Sequence, residues 1–302
     1  MKFLLTAINA KFIHSNPAIY SLRAGVGEKL QPYVELAEFT INESLDSILE
    51  GIWKRQPKVI GFSCYIWNWK LIREILTELP KILPDTEIWL GGPEVTYDGP
   101  GLLREFPQVT GIMVGEGEVT FREVLGQYVR EAESTGQSEQ QPEPDSIEQQ
   151  AADRTGTLAG KSVAERFGQI PGLCLASGYT APRELTDLTT LPFLYEDMEP
   201  FTNRIIYYET SRGCPYRCSY CLSSIDKKVR LRDIDVVKRE LQFFLDQNVK
   251  QVKFIDRTFN CDHKHAMEIW EYIYKHDNGV TNFHFEISAD ILRAEEIALL
   301  NR

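Results

Sequence analysis

Five short apolar runs, at residues 2–8, 33–39, 58–63, 87–90 and 111–114, punctuate the first part of this chain. Between them lie stretches of helical spacing. Residues 17–30 carry Ile19, Leu22 and Val26 on one stripe, and residues 44–54, 69–83 and 119–130 follow the same period. Strands this apolar are buried on both faces. Alternation with helices therefore predicts a parallel, doubly wound α/β sheet. Ligands of such sheets sit at the carboxyl ends of the strands. Polar and glycine residues collect there: residues 9–16, 63–68, 91–99 and 115–118.

Residues 132–165 break the pattern. They lack aromatic residues, are rich in Glu, Gln, Ser and Pro, and have no usable period, which predicts a disordered acidic linker. The chain has 44 acidic against 33 basic residues, a formal charge of −11. Thirteen of those acids and only four of those bases fall in residues 131–199. The acidity thus belongs mainly to a connector and says little about partners; no nucleic-acid partner is expected. No apolar run approaches the ~20 residues of a membrane span. Asn9 and Lys11 interrupt the start before a signal-peptide core forms, so a cytoplasmic location is expected. Residues 166–200 read as a hairpin and an extended connection.

From residue 201 the units lengthen. Strands are expected at 204–209, 251–256 and 282–287, and helices at 233–248, 263–276 and 294–302. Three βα units are fewer than the eight of a closed barrel of ~250 residues. The last helical pattern also runs out at Leu299 and Leu300 without a stop signal. The expectation is a chain that ends partway through its second domain and has little activity by itself.

Between the first of these strands and its helix lies Arg212-Gly213-Cys214-Pro215-Tyr216-Arg217-Cys218-Ser219-Tyr220-Cys221. Three thiolates on one loop suit zinc or iron–sulfur. Structural zinc takes four ligands, usually from two paired knuckles. Here the paired knuckles are absent; Cys261 or His263 could supply a fourth ligand, but they lie after the next strand. A [4Fe–4S] cluster on Cys214, Cys218 and Cys221 leaves one iron open to a small molecule. Cys64, Cys174 and Cys261 read most simply as small buried residues.

At this CxxxCxxC the chain resembles the radical S-adenosylmethionine (SAM) superfamily, with Tyr220 as the aromatic before the last cysteine. The resemblance implies that the three cysteines hold the cluster and that SAM chelates the open iron. Reduction then cleaves SAM to a 5′-deoxyadenosyl radical, which abstracts hydrogen from substrate. Asp256 and Glu286, expected at strand carboxyl ends that face a barrel's active site, are with Tyr220 the candidate SAM contacts. A salt-bridged loop acid is the alternative reading of each, and Arg257 and Asn260 are similar candidates.

The first domain then resembles the cobalamin-binding domain of the cobalamin-dependent branch of that superfamily. The resemblance rests on Gly91-Gly92-Pro93 after the fourth strand and Gly115-Glu116-Gly117-Glu118 after the fifth. It implies a flavodoxin-like domain with Ser63, Gly91, Gly92, Pro93, Gly115, Glu116 and Gly117 near the cofactor. Glycines suit a bulky corrinoid tail, because a Cβ would obstruct its approach. His14 stands where some corrinoid proteins place a cobalt ligand in Asp-x-His-x-x-Gly. Phe12 and Pro17 replace the Asp and Gly, so the alternative is an ordinary loop histidine. Tyr65, Trp67 and Trp69 either flank the corrin or pack an interface.

The expected organisation is a cobalamin-binding domain (1–131), a linker (132–165), a hairpin and connection (166–200) and the first half of a partial TIM-like (β/α) radical SAM barrel (201–302). The expected activity is methylation of an unactivated carbon of an unknown substrate, a small molecule or otherwise, with a flavodoxin- or ferredoxin-type electron donor. Radical rearrangement or cyclisation without methyl transfer is the alternative, as is a non-catalytic corrinoid- or cluster-binding fragment.

Overall fold

A computed structural model describes residues 1–134, 161–226 and 228–302. The chain forms two compact units, Met1–Phe12 with Asn16–Leu185, and Ile13–Ser15 with Thr186–Arg302.

The first unit is built on β1 (Phe3–Asn9), α1 (Pro17–Gly25), β2 (Val34–Thr40), α2 (Leu45–Trp53), β3 (Val59–Ser63), α3 (Trp69–Ile82), β4 (Glu87–Gly91), α4 (Gly99–Glu105), β5 (Val109–Met113) and α5 (Gly117–Ser134). After these come α6 (Val163–Phe167), β6 (Leu173–Leu175) and β7 (Gly178–Tyr179). The sheet order is β2-β1-β3-β4-β5-β6-β7. The first five strands are parallel, the doubly wound flavodoxin-like order.

Strand alternation divides the core in two. Leu4, Ile8, Ile60, Phe62 and Leu90 pack against α2, α3 and α4. Phe3, Leu5, Ala7, Val59, Trp89 and Met113 pack against α1, α5 and α6. Local chemistry sets the helix starts. Ser44 caps α2 by accepting from the Ser47 amide, and Ser162 with Glu165 forms a capping box on α6.

Three sequence expectations are corrected here. Residues 132–134 continue α5, and 163–165 belong to α6, so these ends of the expected linker are helical; the rest of that assignment falls on 135–160, outside the described residues. The hairpin is part of the first unit. β6 pairs antiparallel with β5, and β7 with β6, so two antiparallel strands extend the parallel sheet. Finally, α4 begins at the end of the stretch 91–99 that read as loop, where no helix was expected. Gly99, Pro100 and Gly101 look like breakers, yet Gly99 lets this helix lie against Cys174, whose Sγ stands 2.7 Å from where a Cβ would be.

Arg166 anchors the segment that returns to the sheet. Its side chain is 1% exposed, bridges Glu87 and Glu131 at 3.0 and 2.9 Å, and lies over the rings of Tyr128 and Phe167. Glu87 also accepts from the Tyr128 hydroxyl, which accepts from the Trp89 indole.

The second unit holds β8 (Ile206–Tyr208), β9 (Ser211–Arg212), β10 (Arg230–Leu231), α7 (Ile234–Asp246), β11 (Gln251–Phe254), α8 (His263–His276), β12 (Asn282–His284) and α9 (Ala294–Leu300). β8, β11 and β12 form a parallel sheet in the order β12-β11-β8. This is the partial βα array expected from the sequence. Asp233 caps α7 and Asp262 caps α8. Among the described residues no helix is long and apolar enough to cross a membrane.

Candidate functional sites

In the first unit a cavity of about 350 Å³ opens at the carboxyl ends of β1, β3, β4 and β5, under α1 and α5. Its floor follows from strand parity. Gly61 and Ser63 on β3 and Gly91 on β4 share the face that carries Phe3, Leu5 and Trp89, and their lack of bulk leaves the space. Gly92 and Gly115 hold φ of +108° and +80°, the region that favours glycine. A Cβ on Gly92 would lie 2.5 Å from the Cys64 carbonyl oxygen, so the chain can cross β3 here only as glycine.

Of the residues expected around a corrinoid, Ser63, Gly91, Gly92, Pro93, Gly115 and Gly117 line this one cavity. Glu116 and His14 are not among the lining residues. Ser63 accepts from the Asn16 side chain at 3.2 Å. His14 belongs to the second unit, where Nδ1 pairs with the Tyr207 hydroxyl and its backbone bridges Ile205. Sequence reading missed Phe3, Leu5, Leu22, Gly61, Trp89 and Glu118 as lining residues. Tracking the parity of Gly61 and Gly91 across neighbouring strands would have found the floor.

The aromatic residues after β3 divide. Tyr65 lines the cavity and stacks on Trp67, with centroids 4.4 Å apart. Trp69 packs edge-on to Phe106 in the core. Burial pushes the Cys64 thiol far up, consistent with a small apolar residue.

In the second unit the cysteine loop is closed at its base by a short antiparallel ladder that the sequence did not suggest. β9 pairs with β10 through Ser211↔Leu231 and Arg212↔Arg230. Gly213 holds φ +99°, and a Cβ there would lie 2.5 Å from the Lys228 carbonyl oxygen. The Cys214 amide then donates to the Asp226 carbonyl at 3.1 Å.

Cys214 is buried, Cys221 half-buried and Cys218 exposed. Among the described residues no three His, Cys, Asp or Glu side chains gather closely enough to hold one metal ion. The three thiols share a loop but are not drawn to a point. Their chemistry nonetheless suits a soft metal centre. The Ser223 amide and hydroxyl hold the Cys221 thiol below its usual value, and Arg257 adds to this. The Thr258 hydroxyl lies 3.5 Å from the Cys214 sulfur.

The expected SAM contacts are placed differently. Tyr220 is 91% exposed. Asp256 and Glu286 lie two residues beyond the strands they were expected to end, because β11 stops at Phe254 and β12 at His284. Asp256 is 1% exposed and turned inward. It accepts from the Thr210 amide at 3.1 Å and from the Thr210 and Ser211 hydroxyls at 2.6 and 2.7 Å. Burial pushes its carboxyl up, and those hydrogen bonds work against the rise. Glu286 is the salt-bridged acid of the alternative reading, 3.3 Å from both Lys253 and Arg257. Asn260 is fully buried and pairs with both backbone groups of Ser288 at 2.9 Å. His263 is taken by Glu296 at 2.7 Å, and burial pushes the Cys261 thiol up.

Comparison with known families gives two matches. The B12 binding domain matches residues 4–125, and the radical SAM superfamily matches residues 208–302. The chain therefore joins a B12 binding domain to a radical SAM domain. Among its curated relatives is the 2-(S-pantetheinyl)-carbapenam-3-carboxylate methyltransferase of Streptantibioticus cattleyicolor, 27% identical over 67% of this chain and 28% of that protein. The anaerobic magnesium-protoporphyrin IX monomethyl ester cyclase of Rubrivivax gelatinosus is 24% identical over 86% of this chain and 44% of its own length. The chain thus spans less than half the length of these relatives. Among solved structures, the radical SAM methyltransferase TsrM from Kitasatospora setae superposes with a TM-score of 0.66 and 18% identity, covering 99% of this chain and 57% of that one. This last likeness is one of fold.

Proposed function

We propose that this chain carries the cofactor-binding part of a cobalamin-dependent radical SAM methyltransferase that acts on an unactivated carbon of a small molecule. The carrying observation is the pairing, in one chain, of two features. One is a glycine-floored cavity at the carboxyl ends of a doubly wound sheet. The other is a ladder-closed CxxxCxxC loop after the first strand of a βα array.

Cys214, Cys218 and Cys221 would hold the [4Fe–4S] cluster. The lowered Cys221 thiol and the hydroxyl beside Cys214 fit anionic sulfur ligands. Ser63, Gly91, Gly92, Pro93, Gly115 and Gly117 would admit the corrinoid's tail. The wall of Phe3, Leu5, Leu22 and Trp89 keeps water from it. Tyr220 is exposed and free to pack on SAM, whereas Asp256 acts on the loop and not on SAM. When bound, the reduced cluster supplies the electron that breaks a carbon–sulfur bond of SAM, and the corrinoid supplies the methyl group. The chain's own part is to order the cysteine loop and hold the corrinoid. A flavodoxin- or ferredoxin-type protein would deliver the electron.

The named activity of the Rubrivivax relative favours a second reading, cyclisation without methyl transfer. The products of SAM separate the two. The protein, anaerobically reconstituted and reduced in the presence of a substrate pool, should form both 5′-deoxyadenosine and S-adenosylhomocysteine if it transfers methyl groups. Formation of 5′-deoxyadenosine alone would favour cyclisation. Formation of neither would refute both.

A further inference from the structure

The turn that follows β11 meets the cysteine loop at two points. Asp256 accepts from Thr210 and Ser211, which lead into the loop. Thr258 places its Oγ1 3.5 Å from the Cys214 sulfur.

Thr258 does this in an unfavourable backbone. Its φ and ψ are +59° and +61°, the left-handed region, where a β-branched residue is a genuine outlier. The turn is held in that shape from its far side. Asn260 pairs with the amide and carbonyl of Ser288, the Phe259 amide donates to the Glu286 carbonyl at 2.9 Å, and the Cys261 amide donates to the Thr258 carbonyl at 2.9 Å. Glycine would adopt this conformation without strain. It would supply no hydroxyl. Strain that the surroundings enforce at one residue is a pointer to what that residue's side chain does.

We propose that the Thr258 hydroxyl donates a hydrogen bond to the sulfur of Cys214 in the cluster-loaded protein and thereby raises the cluster's reduction potential. This rests on the reading of the cysteine loop as a cluster site. A ligating thiolate has no proton to give, so the hydroxyl is the donor. Hydrogen bonds to ligating sulfurs draw charge from them, favour the reduced state and are among the protein's means of setting the potential. Thr258 is in this sense a positioning and tuning residue of the loop. Its backbone is fixed by Asn260, and its neighbour Asp256 fixes the loop from the other end.

The test is a redox titration of the reconstituted protein, followed by electron paramagnetic resonance, with iron content measured in parallel. Thr258→Val removes the hydroxyl at nearly constant shape, Thr258→Ser keeps it, and Thr258→Gly removes it while relieving the backbone. The serine variant should titrate with the parent, and the valine and glycine variants at a more negative potential. If valine prevents cluster assembly by strain, the glycine variant decides. Valine and glycine variants that titrate at the parent's potential would overturn the proposal. A parent protein that takes up no iron would instead overturn the cluster reading on which it rests.

Discussion

Asp256 and Thr210 are joined by two kinds of hydrogen bond. The buried carboxylate accepts from both the amide and the hydroxyl of Thr210, at 3.1 and 2.6 Å. The pair ties the turn after β11 to the residue that starts the cysteine loop, two residues past the end of β8.

Asp256→Ala should therefore disorder the loop's entry as well as destabilise the second unit. It leaves the donors of Thr210 and Ser211 buried without an acceptor. The cost should be about 3 kcal/mol, read as a lower urea midpoint at unchanged slope. Iron uptake should fall with it. An alanine variant that matches the parent in both would show the contact to be idle.

The cavity floor makes a second prediction. A Cβ on Gly61 would meet the Phe3 ring at 3.1 Å, and the rest of a valine would project into the space. Gly61→Val should weaken corrinoid retention by about tenfold or more while leaving the sheet folded. Retention of hydroxocobalamin on gel filtration, set beside the far-ultraviolet circular dichroism, measures both. Undiminished retention would place the corrinoid elsewhere.

Removing Arg166 should destabilise the first unit by about 3 kcal/mol, because Glu87 and Glu131 then lose their shared partner. Arg166→Met, which keeps the stem over Tyr128 and Phe167, measures the charge contribution by its shift in urea midpoint. A variant within about 0.5 kcal/mol of the parent would contradict it.

A pH effect follows from His265, buried in the first turn of α8 with no partner on Nε2 among the described residues. Burial holds its pKa below the usual 6.5. Asp262 and Glu268 favour the proton and Lys238 opposes it, without reversing that direction. The unfolded chain therefore takes up a proton at higher pH than the folded chain does. The stability due to the neutral ring is complete above about pH 6.5 and is lost as pH falls through the lower folded value. His265→Leu should flatten the urea midpoint between about pH 7.5 and 5.5. An unchanged slope would assign the acid sensitivity to other groups.

Much of this was legible because strands and helices announce themselves by period. The five parallel strands lie within two residues of where the apolar runs put them. The spacing of Cys214, Cys218 and Cys221 is the sequence feature on which the proposed cluster site rests. What the sequence hid was long-range pairing. β9 and β10 are two residues each, too short for a period, and exist because Ser211 and Arg212 meet Leu231 and Arg230 across the loop. The helix at Gly99 was masked by breaker residues, of which Gly99 is the one that packing against Cys174 requires. Asp256 read as a ligand-facing acid because residue type and place on a strand do not reveal that Thr210 and Ser211 would turn their donors toward it.

The central claim is that one chain holds a cluster on its three clustered cysteines and, independently, a corrinoid in its glycine-floored cavity. The most direct measurement is iron, zinc and cobalt content after anaerobic reconstitution with hydroxocobalamin, for the parent and for the Cys214→Ala/Cys218→Ala/Cys221→Ala variant. The account predicts about four iron atoms per chain in the parent, none in the variant, and equal cobalt in both. Iron retained by the triple variant, or zinc in place of iron in the parent, would contradict it.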